Sequence, residues 1–294
     1  MPSPHERLPP KGLLLLAALS LFWGLNWPIM KVVLGEVAPL TFRAICLLCG
    51  GSGLLLVARA SGISCKVTPG EWPRLTALSL FNIFGWNVFA VYGVLLLSSG
   101  RAALLGYTMP LWGVILSVYM LGERFTARRG AGLVLGIAGI FTLMSDSFAG
   151  IVQAPIGAAC MVAAALSWAF GIVLIKRLPV AMPTIAMTGW MMLLAGVPIA
   201  VGALALETSR LAMPSFWPAF GLAYNVLIAF MFCYWAWNRI VLMVPVAVSS
   251  VSSLTTPLIG VLGGVVLLGE TLGWREMVAA LLILAAVGTV SIKR

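Results

Sequence analysis

The sequence predicts an all-α integral membrane protein with ten transmembrane helices arranged as two inverted-topology five-helix repeats. Three observations carry that prediction. The composition is too apolar for a soluble domain, lysine and arginine are unevenly placed between loops, and one segment occurs once in each half of the chain.

Composition comes first. Apolar residues make up 62% of the 294 and charged residues 9%, with a mean hydropathy of +1.09. Soluble domains hold roughly 45–50% apolar and about 25% charged residues. Crossing ~30 Å of hydrocarbon takes ~20 apolar residues in a helix. Charge clusters and Pro/Gly/Ser breaks divide the chain into ten such runs, near 12–34, 39–60, 75–97, 100–121, 130–146, 155–176, 182–206, 217–238, 244–268 and 276–291. Arg7 and Lys11 precede the first run, but no small-residue cleavage site follows it, so it is expected to be retained.

The net charge of +10 would suggest nucleic acid in a soluble protein, but here its placement gives orientation instead. With the N-terminus cytoplasmic, 13 of the 18 basic residues fall in inside segments, 4 fall outside, and Arg43 lies within the second span. Both termini are therefore expected inside. Arg43 is expected to pair with backbone carbonyls or a lipid headgroup rather than with substrate. No nucleic-acid partner follows from the charge.

The repeat accounts for the odd span count per half. Residues 108–128 laid on 255–275 at an offset of 147 give ten identities in 21 positions, among them Pro110/Pro257, Gly113/Gly260, Gly122/Gly269 and Glu123/Glu270. Ser20 and Gly24 of "ALSLFWG" likewise fall on Ser167 and Gly171 of "ALSWAFG". The halves are 1–147 and 148–294, five spans each, so the second enters the membrane from the opposite side. Arg124 after the first "LGE" becomes Thr271 after the second, as expected where a loop has changed sides.

Other features are read as structural. Cys46 and Cys49 form a C-x-x-C inside an apolar span with no further ligand nearby, so packing is expected and no disulfide, metal or cofactor is implied. Trp72, Trp217 and Trp274, at span ends, are expected as interfacial anchors. "GLVLGIAG" (132–139) carries a G-x-x-x-G suited to close packing within the bundle.

Catalysis has no support. The only histidine is His5, and no Asp or Glu falls in mid-span, so a nucleophile would have no base. The protein is not expected to be an enzyme. A proton relay also lacks a carrier group, which favours movement down the substrate's own gradient.

Polar and aromatic groups inside spans are the site candidates, because lipid gives them nothing to bond. Trp23 and Asn26 stand in span 1. Asn82 and Trp86 of span 3 are i and i+4 on one face, and Asn225 holds a similar place in span 8. Tyr107 and Trp112 flank Pro110 in span 4, and Trp168 is in span 6. Ser249, Ser252 or Ser253, and Thr256 form a polar stripe in span 9, where helix packing or backbone capping competes with ligand contact for each hydroxyl. Pro110 and Pro257, as repeat equivalents, are the candidate hinges.

"WGLNWPIMK" (23–31), "PLTFRAICLL" (39–48), "PLWGVILSVYMLGERFTARRGAGLVLGIAG" (110–139) and "PLIGVLGGVVLLGET" (257–271) resemble EamA-type members of the drug/metabolite transporter superfamily. Within it, the chain looks most similar to the bacterial YddG-like exporters of aromatic and other amino acids. The resemblance covers essentially the whole chain. It implies ten helices in two inverted repeats, a central pathway between them, a place in the bacterial inner membrane, and export of small amphiphilic metabolites, amino acids foremost. A passive channel is the rival reading, which saturable counterflow would separate. No oligomeric state is implied.

Overall fold

The structure, a computed structural model, describes residues 10–97, 105–143, 154–208, 213–254, 256, 259 and 273–291. Its helices are α1 (Pro10–Leu34), α2 (Pro39–Ala60), α3 (Trp72–Leu78), a π-helical stretch (Ser79–Gly85) continuing into α4 (Trp86–Leu96), α5 (Met109–Leu121), α6 (Ala127–Leu143), α7 (Pro155–Arg177), α8 (Thr184–Leu206), α9 (Phe216–Tyr224), a second π-helical stretch (Asn225–Phe232) continuing into α10 (Cys233–Met243), α11 (Val246–Ser252) and α12 (Trp274–Ser291). These described elements fall within the ten expected spans, in order. Five are long and apolar enough to cross a membrane by length and composition, and shorter apolar helices lie at Pro10–Asn26, Met109–Leu121 and Met277–Ala286.

Proline punctuates the starts. Pro39 and Pro155 sit in first turns, where the missing N–H removes no helical bond. Pro110 is likewise in the first turn of α5, preceded by a turn at 107–108. Pro257 and the boundary near residue 147 lie outside the described residues. Gly122 ends α5 with φ +65°, a left-handed stop that glycine adopts without a Cβ penalty. The eighth span runs to Met243, beyond the expected end near 238, because Arg239 lies on an exposed face of α10 instead of in a loop. Arginine is a good helix former and suits a C-terminal turn.

The two π stretches obey the repeat. Shifted by 147 positions, Ser79–Gly85 covers all but the first residue of Asn225–Phe232. Wider i→i+5 turns displace carbonyls from their usual partners. Nearby side-chain amides find such carbonyls: Asn87 Nδ2 donates to Ile83 O at 2.8 Å and Asn225 Nδ2 to Gly221 O at 2.9 Å.

The halves interlock. α2 packs on α8, α6 on α12 and α5 on α11, each pairing repeat-related spans, while α1 packs on the α9–α10 span and α7 on α4 and the first π stretch. Close approach explains the repeated "S…G". A Cβ on Gly171 would meet the Asn82 backbone at 2.5 Å, and Ser167 Oγ donates to Phe81 O at 2.7 Å. The G-x-x-x-G segment also packs inside the bundle, since a Cβ on Gly136 would strike Leu254.

Glutamates stitch helix starts to the opposite half. The Leu40 N–H (3.0 Å) and the Thr41 N–H (2.7 Å) and hydroxyl (2.9 Å), at the start of α2, donate to the Glu207 carboxylate. The Ser215 N–H and hydroxyl, each at 2.7 Å, donate to Glu36 before α9. On the opposite face the Ala181 N–H donates to Glu71 ahead of α8, and the Val246 N–H to Glu123 at 2.9 Å at the start of α11. Negative charge is favourable at each of these helix N-termini.

Candidate functional site

One cavity of about 340 Å³ lies between the halves. Its walls come from α1, α2, α4, the segment 106–109 at the start of α5, α7, the second π stretch, α10 and the polar segment after α11, and it reaches the face that carries the α1–α2 connection at Leu34 and Pro39.

Its inner end is an aromatic box. Trp23 and Trp168 have ring centroids 6.1 Å apart. Tyr234 meets Trp23 edge-on at 5.6 Å and Trp168 at 5.7 Å, and Trp237 lies 6.2 and 6.1 Å from the same two indoles. Trp86 packs on Trp168 at 5.4 Å. Trp23 is pinned across the halves by donating from Nε1 to Ala229 O at 3.0 Å. A box with such fixed walls receives a flat apolar group with little loss of side-chain freedom.

Polar groups punctuate the wall. Arg43, Asn26, Ser253 and Thr256 line it. Among the described residues, Asn26 Oδ1, Thr256 Oγ1 and the indole nitrogens of Trp168 and Trp237 are buried without a hydrogen-bond partner. A buried donor or acceptor left unmade costs about 1–3 kcal/mol, so groups of this kind fit a site that a ligand completes.

Of the residues expected from sequence, Trp23, Asn26, Trp86, Tyr107, Trp168, Ser253 and Thr256 come together around this cavity. Asn82, Trp112, Asn225, Ser249 and Ser252 lie outside its lining. Asn82 and Asn225 are fully buried in the π stretches. Trp112 donates to Thr108 Oγ1 at 3.2 Å, and Ser249 caps Val246 O at 3.0 Å. Arg43 lines the cavity, and among the described residues its hydrogen bond goes to Met30 Sδ at 3.4 Å, not to a backbone carbonyl. Sequence reasoning passed over Tyr234 and Trp237, though "YWAW" (234–237) places them at i and i+3 on one helix face.

The far face is sealed by charge. Glu123 Oε1 lies 3.6 Å from Lys176 Nζ and its Oε2 lies 3.8 Å from Arg129. Lys176 also donates to Val244 O, and Arg177 to Met120 O. The "LGE" motif is thus a stop at Gly122 followed by an acid that ties the loop before α11 to α5 and α7. Its second copy lies outside the described residues.

A two-fold helical repeat around an aromatic cavity defines a membrane transporter. The EamA-like transporter family model matches residues 10–145 and again 155–292, and the chain belongs to that family. It is 27% identical over 272 residues to a probable amino-acid metabolite efflux pump of Salmonella typhimurium, covering 90% of this chain and 89% of that one. It is 28% identical over 187 residues to the aromatic amino acid exporter YddG of Ancylobacter novellus, covering 63% of this chain and 62% of that protein. A crystal structure matches with a TM-score of 0.85 at 21% identity over 95% of this chain and 96% of that one, a likeness of fold.

Proposed function

We propose that the protein is a secondary transporter of the bacterial inner membrane that exports small amphiphilic metabolites, foremost amino acids including aromatic ones. The observation that carries this reading is the aromatic box at the inner end of a cavity shared by both halves. The names of the efflux-pump and exporter relatives support the substrate class.

Trp23, Trp86 and Trp168 wall the substrate's apolar part, Asn26, Ser253 and Thr256 serve its polar part, and Tyr107 stands nearer the mouth. Transport proceeds by alternating access as the repeats 1–147 and 148–294 rock about the cavity, with Pro110 and Pro257 as hinges. The distribution of basic residues supports cytoplasmic termini, and on that orientation the cavity is open to the outside. No acid lines the cavity among the described residues, which supports movement down the substrate's gradient without proton coupling.

Proteoliposomes preloaded with phenylalanine provide the test. Saturable counterflow of labelled phenylalanine, with no ion gradient imposed, is expected of the carrier. Flux that rises linearly with concentration and shows no counterflow would instead establish a channel.

A further inference from the structure

We infer that Arg43 is the anion anchor of the cavity, so that the site demands the ligand's carboxylate and does not require its ammonium group. This deepens the proposed function and rests on the cavity being the substrate site.

The neighbours of Arg43 are mostly apolar or neutral, with Tyr234 and Cys46 the polar groups nearby. Its guanidinium carbon lies 5.1 Å from the Phe42 ring centroid and 5.8 Å from that of Phe230, and its NH2 meets Met30 Sδ at 3.4 Å. Arginine stays protonated, so this is a fixed positive charge. Among the described residues Glu123 pairs with Arg129 and Lys176, and no carboxylate lies within 4.0 Å of Arg43. The acids that might have served are committed elsewhere: Glu36, Glu71, Glu123 and Glu207 each hold a backbone N–H at or just before a helix start.

An unmatched cation within a span is costly and, where retained, marks a functional site. Cation–π contacts with two phenylalanines return only about 0.5–2 kcal/mol each. A ligand carboxylate would meet a planar, bidentate donor and complete the pair.

The rest of the wall agrees in sign. Three of the four partnerless polar atoms on lining residues are able to donate: Nε1 of Trp168, Nε1 of Trp237 and Oγ1 of Thr256, on residues 3%, 1% and 6% exposed. An ammonium group finds no carboxylate in the described lining, only aromatic faces and neutral oxygens such as those of Asn26, Ser253 and Thr256. The site therefore fits an aromatic or branched monocarboxylate at least as well as the zwitterion. A lipid phosphate shares the anionic chemistry and is the competing source.

The decisive experiment is competition against labelled phenylalanine counterflow by the full-length protein in phosphatidylcholine vesicles. The unlabelled competitors are 3-phenylpropionate, which keeps only the carboxylate, and phenethylamine, which keeps only the ammonium. Phenylpropionate is expected to compete within about threefold of phenylalanine and phenethylamine at least about tenfold more weakly, the latter being the worth of one charge-assisted bond. Arg43→Gln should weaken phenylpropionate at least about tenfold and leave phenethylamine nearly unchanged, with Arg43→Lys in between. Should Arg43→Gln fail to fold, the wild-type ranking of the two competitors still decides.

Equal competition by both compounds, or an Arg43→Gln protein with undiminished carboxylate affinity, overturns the inference and assigns Arg43 to a headgroup. The function proposed above then still stands if wild-type counterflow is saturable and Trp168→Ala depresses it. Absence of both saturable counterflow and calorimetric binding of any of the three compounds overturns the two readings together.

Discussion

Asn87 donates from Nδ2 to the hydroxyl of Tyr234 at 3.4 Å, and the two residues stand 147 positions apart, the spacing of the repeat itself. Equivalent positions of the halves therefore touch, which places the pseudo-two-fold axis between α4 and α10. The symmetry is of backbone, not of chemistry. One half presents an amide and the other a phenol that helps to wall the cavity. Tyr234→Phe removes this bond and the cavity hydroxyl while leaving Asn87 its contact with Ile83 O. Expected are a stability loss of about 1 kcal/mol and a weaker apparent affinity for hydroxylated more than for plain aromatic substrates. Thermal unfolding beside counterflow with tyrosine and phenylalanine reads both, and an unchanged affinity ratio would place the hydroxyl outside recognition.

Aromatic substitutions should separate wall from surroundings. Trp168→Ala opens the box on several sides at once and is expected to reduce phenylalanine transport at least about tenfold, from lost ring contacts worth about 0.5–1.5 kcal/mol each. Trp112→Ala and Trp72→Ala, away from the cavity lining, should each cost much less at matched expression. Equal losses for all three would mean that folding, not recognition, is being measured.

Topology is open to direct labelling. With both termini and the 122–129 loop cytoplasmic and the 269–275 loop external, a cysteine placed at Thr126 in a background lacking Cys65 should resist an impermeant reagent in intact cells. Efficient labelling from outside would reverse the proposed orientation and turn the open cavity toward the cytoplasm.

The Glu123 cluster should govern which face opens. Glu123→Ala leaves Lys176 without a counter-charge, holding only the Val244 carbonyl, and strands the buried Val246 N–H, and is expected to cost about 1–3 kcal/mol while loosening the sealed face. Apparent unfolding temperature and cysteine accessibility at Val244 provide the readouts. A destabilised protein whose Val244 position stays inaccessible would show a cap without a gating role.

Glu36 makes stability depend on pH at the opposite face. The Ser215 backbone N–H, and then its hydroxyl, hold the Glu36 carboxyl below its ordinary value of 4.5. A depressed folded-state value means the contribution is fully present above the unfolded-state value and is lost as pH falls through the folded one. Wild type and Glu36→Gln should therefore differ in unfolding temperature at neutral pH and converge on acidification below 4.5. A gap that stays constant with pH would mean that the carboxylate charge is not what matters.

The fold was legible because lipid imposes simple demands: long apolar runs, basic residues on one side, and a motif whose second copy lost its arginine. The site was half legible, and the misses have a common cause. Asn82 and Trp86 stand at i and i+4, which in an α-helix shares a face, but the π turns of Ser79–Gly85 lie between them. Wider turns rotate the register, so Trp86 reaches the cavity while Asn82 faces Gly171. Hydropathy carries no signal for that rotation. Ser249 shows a different limit: a hydroxyl in a span serves its own backbone as readily as a ligand, and here it bonds Val246 O. The place of Arg43 in the cavity lining was not legible, because its neighbours Met30 and Phe230 come from other spans and nothing local announces a void between them.

The glutamate stitching also sets a schedule for biosynthesis. The N-terminus of α2 waits for Glu207, which follows Leu40 by 167 residues, so at about 5–20 residues per second the ribosome adds its partner roughly ten to thirty seconds later. Glu36, Glu71 and Glu123, by contrast, are made before the later helix starts they serve. The nascent first half thus acts as a template on which α8, α9 and α11 dock as they emerge, while its own second helix remains provisional until translation is more than two thirds complete.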